Sequence, residues 1–138
     1  HLDKINECDW IVEVISERLD WKHDLYKKIL PHINDNCIIT SNTSGLSLKS
    51  LSKDLPDNFL DKFFITHFFN PPRYMKLVEI ISSSKTNKDL VKVMDSFLTD
   101  VLGKNVVHAK DTPNFIANRI GVYGMMVTLH ESKKENYR

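Results

Sequence analysis

The chain has 138 residues, about one domain, and its 41% hydrophobic and 27% charged residues make a soluble globular composition. Its 19 basic and 18 acidic residues leave a net charge of +1, which argues against a nucleic-acid surface driven by bulk charge. No apolar stretch has membrane-spanning length and no signal-peptide pattern is present, so neither nucleic acid nor membrane is an expected partner.

In chain order, "CDWIVEVI" (8–15) is apolar and rich in β-branched residues, which predicts a buried strand. "SERLDWKHDLYKKILPHI" (16–33) has helical periodicity, with Leu25, Ile29 and Ile33 four apart on one face and Leu30 beside them. "NDN" (34–36) is a turn, and "CIITSN" (37–42) a second buried strand. Cys8 and Cys37 fall at the strand starts, without metal-ligand spacing. They read as reduced structural thiols in a cytoplasmic compartment, and no metal site is expected. "TSGLSLKSLSKDL" (43–55) predicts a short helix opened by a hydroxyl cap, and "PDN" (56–58) breaks it.

"KFFITHFF" (62–69) and "MKLVEII" (75–81) predict two strands around a double proline. The helix over 88–102 carries a stripe of Leu90, Met94, Phe97, Leu98 and Val101, with Thr86 and Asp89 as a capping box. Gly103 is its left-handed stop. "NVVHA" (105–109) is a last strand. A helix then begins with Thr112 as cap and Pro113 as its first residue, and its pattern runs on toward Arg138. Alternating strands and helices predict an α/β fold with a mostly parallel sheet. Alternation ends near 109–113, which sets the expected units at 1–111 and 112–138.

Ligands of open α/β sheets bind beyond the carboxyl ends of the strands. Three such ends carry polar groups: Glu17 and Lys22 after the first strand, Asn42 to Gly45 after the second, and His67 near the end of the third. Each has a plainer reading, as a solvated helix start, a helix cap or a core histidine. His67 and Glu79 stand out, because ionisable groups on buried strands are costly unless paired. A tight "NPPRY" connection would let them meet across strands. A carboxylate on one imidazole nitrogen fixes the tautomer and stabilises the imidazolium, which suits proton abstraction from an alcohol. A structural pair remains equally open from the residues alone.

"SNTSGLSL", "HFFNPPRYMKLVEI" and "KDTPNFIANRIG", with "VEVISERLDWKHDLY" upstream, resemble in order and spacing the 3-hydroxyacyl-CoA dehydrogenase family, from about Cys8 to about His130. The resemblance implies a partial Rossmann-like dinucleotide-binding domain followed by the first helix of an all-α domain. It implies NAD as cofactor and oxidation of the 3-hydroxyl of an acyl-CoA thioester in fatty-acid β-oxidation. His67 then corresponds to the general base and Glu79 to its carboxylate partner. Ser44 corresponds to a position against both substrate and nicotinamide, and Asn118 to a substrate-side residue. Glu17, Lys22 and Asn42 correspond to cofactor-contacting positions. A homodimer or a larger multifunctional chain is the implied assembly.

Departures from the family pattern are Asn114, where it more often has glycine, and Gly45, where it more often has a second serine. Arg73 and Tyr74 in "NPPRYM" look closer to the long multifunctional members. The family's GxGxxG turn, which holds the pyrophosphate, has no counterpart among the chain's four glycines. The chain opens on His1, not methionine, so a fragment or a processed product is expected. The competing expectation is a non-catalytic remnant or binding module that keeps the His67–Glu79 pair without a cofactor loop. A hydrolase using Ser44 and His67 is a poorer reading, because "NTSG" lacks a nucleophile-elbow pattern.

Overall fold

Five short strands form one sheet in sequence order: β1 (Trp10–Glu13), β2 (Ile38–Ser41), β3 (Phe63–Phe68), β4 (Leu77–Ile81) and β5 (Asn105–His108). The computed structural model describes residues 2–134, so His1 and the last four residues of the expected terminal helix lie outside it. β1, β2 and β3 run parallel, β4 is antiparallel to β3, and β5 is parallel to β4. The carboxyl ends of the first three strands therefore share one edge of the sheet.

Both faces of the three central strands are covered, which is why β2, β3 and β4 read as apolar runs; β1, expected to be buried, is only partly so, and β5 is largely exposed, because both lie at the sheet edges. Alternate residues supply the two faces. Ile39, Phe63 and Ile65 face one cluster with Tyr26 and Ile29 of α1 (Leu19–Ile29), Leu48 and Leu51 of α2 (Leu48–Leu51) and Phe59 of α3 (Asp57–Leu60). Tyr26, Phe59 and Phe63 stack there with ring centroids 5.2–5.6 Å apart. Ile38, Phe64, Val78 and Ile80 face the other cluster with Val91 and Met94 of α4 (Lys88–Ser96) and Leu98 beyond it.

Several boundaries differ from the sequence expectation. β1 is four residues long, so Cys8 precedes it, and Cys37 stands just before β2. Both thiols are free, and burial pushes the Cys37 thiol up to about 11, which keeps it protonated. The buried stripe of α1 is Lys22, Tyr26 and Ile29, while Leu25 is half-buried. Pro31 turns the chain into a 3-10 turn over Leu30–His32, so Ile33 lies past the helix. The expected helix over 43–55 shrinks to α2, with the Ser47 hydroxyl accepting from the Ser50 N–H as cap.

Asn87, not Thr86, caps α4 by accepting the Asp89 N–H, because the Thr86 hydroxyl is committed to the Phe63 carbonyl and the Ser83 N–H. A π-helical turn over Phe97–Val101 shifts the register after α4. Val101 consequently points to solvent, and Phe97 lies at the margin, edge-on to Trp10 with centroids 5.7 Å apart. Gly103 ends this stretch at φ +64°, as expected.

The terminal helix α5 (Ala117–Lys134) starts at Ala117, not Pro113. Asn114 and Phe115 have φ of 62° and 47°, which no right-handed helix allows. Glycine would adopt this left-handed step freely, and asparagine is among the residues that best tolerate it. Gly45 needs no such freedom, since a Cβ there would meet only Asn114 Oδ1 at 3.4 Å. No described helix is long and apolar enough to cross a membrane.

Candidate active site

The antiparallel register sets His67 directly opposite Glu79. The imidazole Nδ1 donates to Glu79 Oε2 at 2.8 Å, with both side chains buried. Bonding to a carboxylate assigns the proton to Nδ1 and leaves Nε2 as an acceptor. Nε2 bonds no protein group among the described residues, and no buried side-chain nitrogen or oxygen there lacks a partner. It is therefore the atom that meets solvent. The ring is wedged between Phe69 and Phe115, at centroid distances of 4.4 and 5.6 Å, which fixes its plane.

Glu79 does more than hold the histidine. Its Oε1 accepts the N–H groups of Ile116 and Ala117, both at 2.9 Å. These are unpaired donors at the start of α5, where the helix dipole favours a negative charge. One carboxylate thus ties the imidazole to the terminal helix. Phe115, buried between them, fills the turn.

The turn after β2 lies at the same edge. Asn42 Oδ1 accepts the Phe68 N–H at 2.8 Å, which pins the turn to the strand that carries His67. Glu17 Oε1 accepts the Thr43 hydroxyl, the Ser44 N–H at 2.9 Å and the Gly45 N–H at 3.1 Å. The Ser44 carbonyl accepts from Asn118 Nδ2 at 3.2 Å. The Ser44 hydroxyl makes no bond among the described residues, and none joins it to His67. A serine nucleophile with a histidine base therefore has no support here. Asp111 closes the junction, its two oxygens accepting the Leu48 and Lys49 N–H groups at 2.8 and 2.9 Å.

Partial burial works against the charge on Glu17, but the bonds from Thr43, Ser44 and Gly45, with Lys22 nearby, outweigh it and hold the carboxyl below its ordinary 4.5. The folded value is depressed, so this clamp is complete above pH 4.5 and is lost as pH falls through the lower folded value. The Ser44 and Gly45 amide resonances should titrate together with a midpoint below pH 4.5. A midpoint at or above that value would show that the clamp does not favour the charged carboxylate.

Lys22 is placed differently from Glu17. Its ammonium is buried, at 2.7 and 2.8 Å from the two oxygens of Glu13 and 3.5 Å from Glu17 Oε2. Glu13 also accepts from Tyr26 Oη at 3.0 Å and Ser41 Oγ at 2.6 Å. Burial and the Glu13 charge push the Tyr26 phenol far up, so it remains a donor. The sequence reading singled out neither Glu13, Tyr26 nor Ser41. The signal was present, since "WIVEV" sets an acid in an apolar strand just as "KLVEI" does.

Residues 1–112 match the model of the 3-hydroxyacyl-CoA dehydrogenase, NAD binding domain, family. The chain belongs to the 3-hydroxyacyl-CoA dehydrogenase family. It is 47% identical over 135 residues to a fatty acid oxidation complex trifunctional enzyme of Rickettsia prowazekii, covering 98% of this chain and 19% of the relative. It is 37% identical over 122 residues to the mitochondrial hydroxyacyl-coenzyme A dehydrogenase of Homo sapiens, covering 88% and 38%. The solved (S)-3-hydroxybutyryl-CoA dehydrogenase of Ralstonia eutropha superposes with a TM-score of 0.78 at 33% identity, over 87% of this chain and 41% of that one. The chain spans about a fifth of the Rickettsia relative and under two fifths of the human one. Members of this family are NAD-dependent oxidoreductases, and residues 1–112 match their Rossmann-like cofactor domain.

Proposed function

We propose that this chain supplies the proton-transfer half of an NAD-dependent dehydrogenase that oxidises 3-hydroxyacyl-CoA to 3-oxoacyl-CoA. The carrying observation is the buried His67–Glu79 pair, with Nε2 facing solvent at the edge where the Ser44 turn and α5 meet. Nε2 takes the proton of the substrate 3-hydroxyl as the C–H electron pair leaves C3. NAD would supply the hydride acceptor for that pair. The Glu79 carboxylate, whose other oxygen serves two helix N–H groups, stabilises the imidazolium that forms.

Glu17 and the Ser44 hydroxyl are positioned to hold the nicotinamide side of NAD, with Asn42 and Lys22 supporting them. Their fit rests on chemistry: a half-exposed carboxylate and an unengaged hydroxyl beyond the carboxyl ends of parallel strands. Ser44 and Asn118 face the substrate from the two sides of the junction near residue 112, which we take as the domain boundary. The trifunctional name of the Rickettsia relative supports fatty-acid β-oxidation and a larger multifunctional chain, with a homodimer as the other assembly. Two free thiols support a reducing, cytoplasmic setting.

The deciding experiment incubates the full-length protein with NAD and a 3-hydroxyacyl-CoA and follows NADH formation. Absence of NADH across short and long acyl chains would remove the proposal and favour a binding module. Asn118→Ala is expected to lower acyl-CoA turnover by about tenfold while NADH binding, read by fluorescence, stays within about twofold. Loss of cofactor binding alone would contradict its assignment to the substrate side.

A further inference from the structure

The proton-transfer chemistry leaves one buried acid without a task. Glu13 closes β1 and is 3% exposed. Its oxygens accept from Lys22 Nζ, Tyr26 Oη, Ser41 Oγ and the Ile15 N–H, all within 3.0 Å. Burying an ion pair costs desolvation, and apolar residues of similar size often pack as well or better. What a charged pair adds is direction. Two routes lead from Glu13 to the turn that holds Ser44. In the first, Ser41 Oγ donates to Glu13 and accepts the Thr43 N–H at 3.3 Å. In the second, Glu13 anchors the Lys22 ammonium, which lies 3.5 Å from Glu17 Oε2. The other Glu17 oxygen gathers Thr43, Ser44 and Gly45.

We propose that Glu13 is a positioning residue: through Lys22 and Ser41 it sets the conformation of residues 42–45, and thereby the seat of the Ser44 hydroxyl. That this seat serves the nicotinamide rests on the proposed dehydrogenase function. That Glu13 shapes the turn rests on this chain alone. The two carboxylates have distinct tasks. Glu17 is the movable clamp at the surface, and Glu13 with Lys22 is its fixed anchor. Lys22 is then aimed inward, and its effect on any ligand passes through Glu17.

The test uses the full-length protein with Glu13→Gln and Lys22→Met together, so that neither charge is left unpaired. Hydrogen exchange read by mass spectrometry should quicken about tenfold or more over residues 42–46, with β3 and β4 unchanged. Unchanged exchange at the turn, or a parallel rise in every strand, would overturn the proposal. If the double variant does not fold, Ser41→Ala decides, since it cuts one route and leaves both charges paired. A rise of about threefold confined to residues 42–46 supports the positioning role, and none overturns it. In kinetics, KM for NAD should rise about tenfold while kcat stays within about twofold; the opposite split would overturn it. A wild-type protein that reduces no NAD would fail the dehydrogenase reading, while the exchange measurement would still decide the role of Glu13.

Discussion

Replacing His67 with alanine in the full-length protein is expected to lower kcat by about 10²-fold or more, the scale of lost acid–base catalysis. Nε2 is the solvent-facing acceptor of the pair, and neither His23, which bonds the Ser50 carbonyl, nor His108, exposed beside Asp95, is placed to substitute for it. Glu17 cannot take over, because the bonds from Thr43, Ser44 and Gly45, with Lys22 nearby, hold its carboxyl below its ordinary value and make it a weak base. The fold should survive. Removing the ring opens space between Phe69 and Phe115 and frees one Glu79 oxygen, but the other keeps both N–H groups of α5. Steady-state kinetics with a circular-dichroism melt separates the two effects. Turnover within about twofold of wild type would remove His67 from the base position.

How far this site was legible depends on how each residue announces itself. The positions of the central strands follow from apolar runs, plain in "CIIT", "FFITHF" and "LVEII". The register of His67 against Glu79 followed from a short connection between two strands. Helix ends were harder. Thr86 looks like a cap, but its hydroxyl is drawn to a carbonyl 23 residues away, a tertiary bond that no local pattern shows. Thr112 and Pro113 make a good helix start on paper, yet the left-handed Asn114 and Phe115 turn the chain first so that Phe115 can be buried. The π-helical turn after Ser96 moved Val101 off the apolar face in the same way.

Charge was the least legible feature. Lys22 stood at a strand-to-helix turn and read as a residue at the ligand, because a lysine is seldom buried. It is buried because Glu13 lies one strand-end away, and Glu13 passed unnoticed inside "IVEVI". An acid in an apolar strand needs partners, and this holds for Glu13 as it does for Glu79. What the sequence could not show is how many donors each acid collects. Glu79 joins the imidazole to the start of α5, so its loss reaches both the proposed base and the helix that carries Asn118.

Glu79→Ala should therefore do more damage than His67→Ala, in stability as well as rate. It strands the Ile116 and Ala117 N–H groups and the His67 Nδ1 donor together. A buried donor left unsatisfied costs about 1–3 kcal/mol, so a loss on the order of 3 kcal/mol or more is expected after some rehydration of the helix end. For a domain of this size that is a fall in melting temperature of about 10 °C. Activity should fall by at least the His67→Ala factor, because the imidazole loses its tautomer-fixing partner and α5 loses the anchor that brings Asn118 to the Ser44 carbonyl. Glu79→Gln separates the contributions. Its carbonyl oxygen can serve the two helix N–H groups, while its amide opposes a donating Nδ1. Stability should return by more than half in that variant, and turnover should not. Two variants equally unstable would mean that the charge of Glu79, rather than its hydrogen bonds, holds the helix start. A Glu79→Ala protein that melts with wild type would mean that α5 is seated by other contacts.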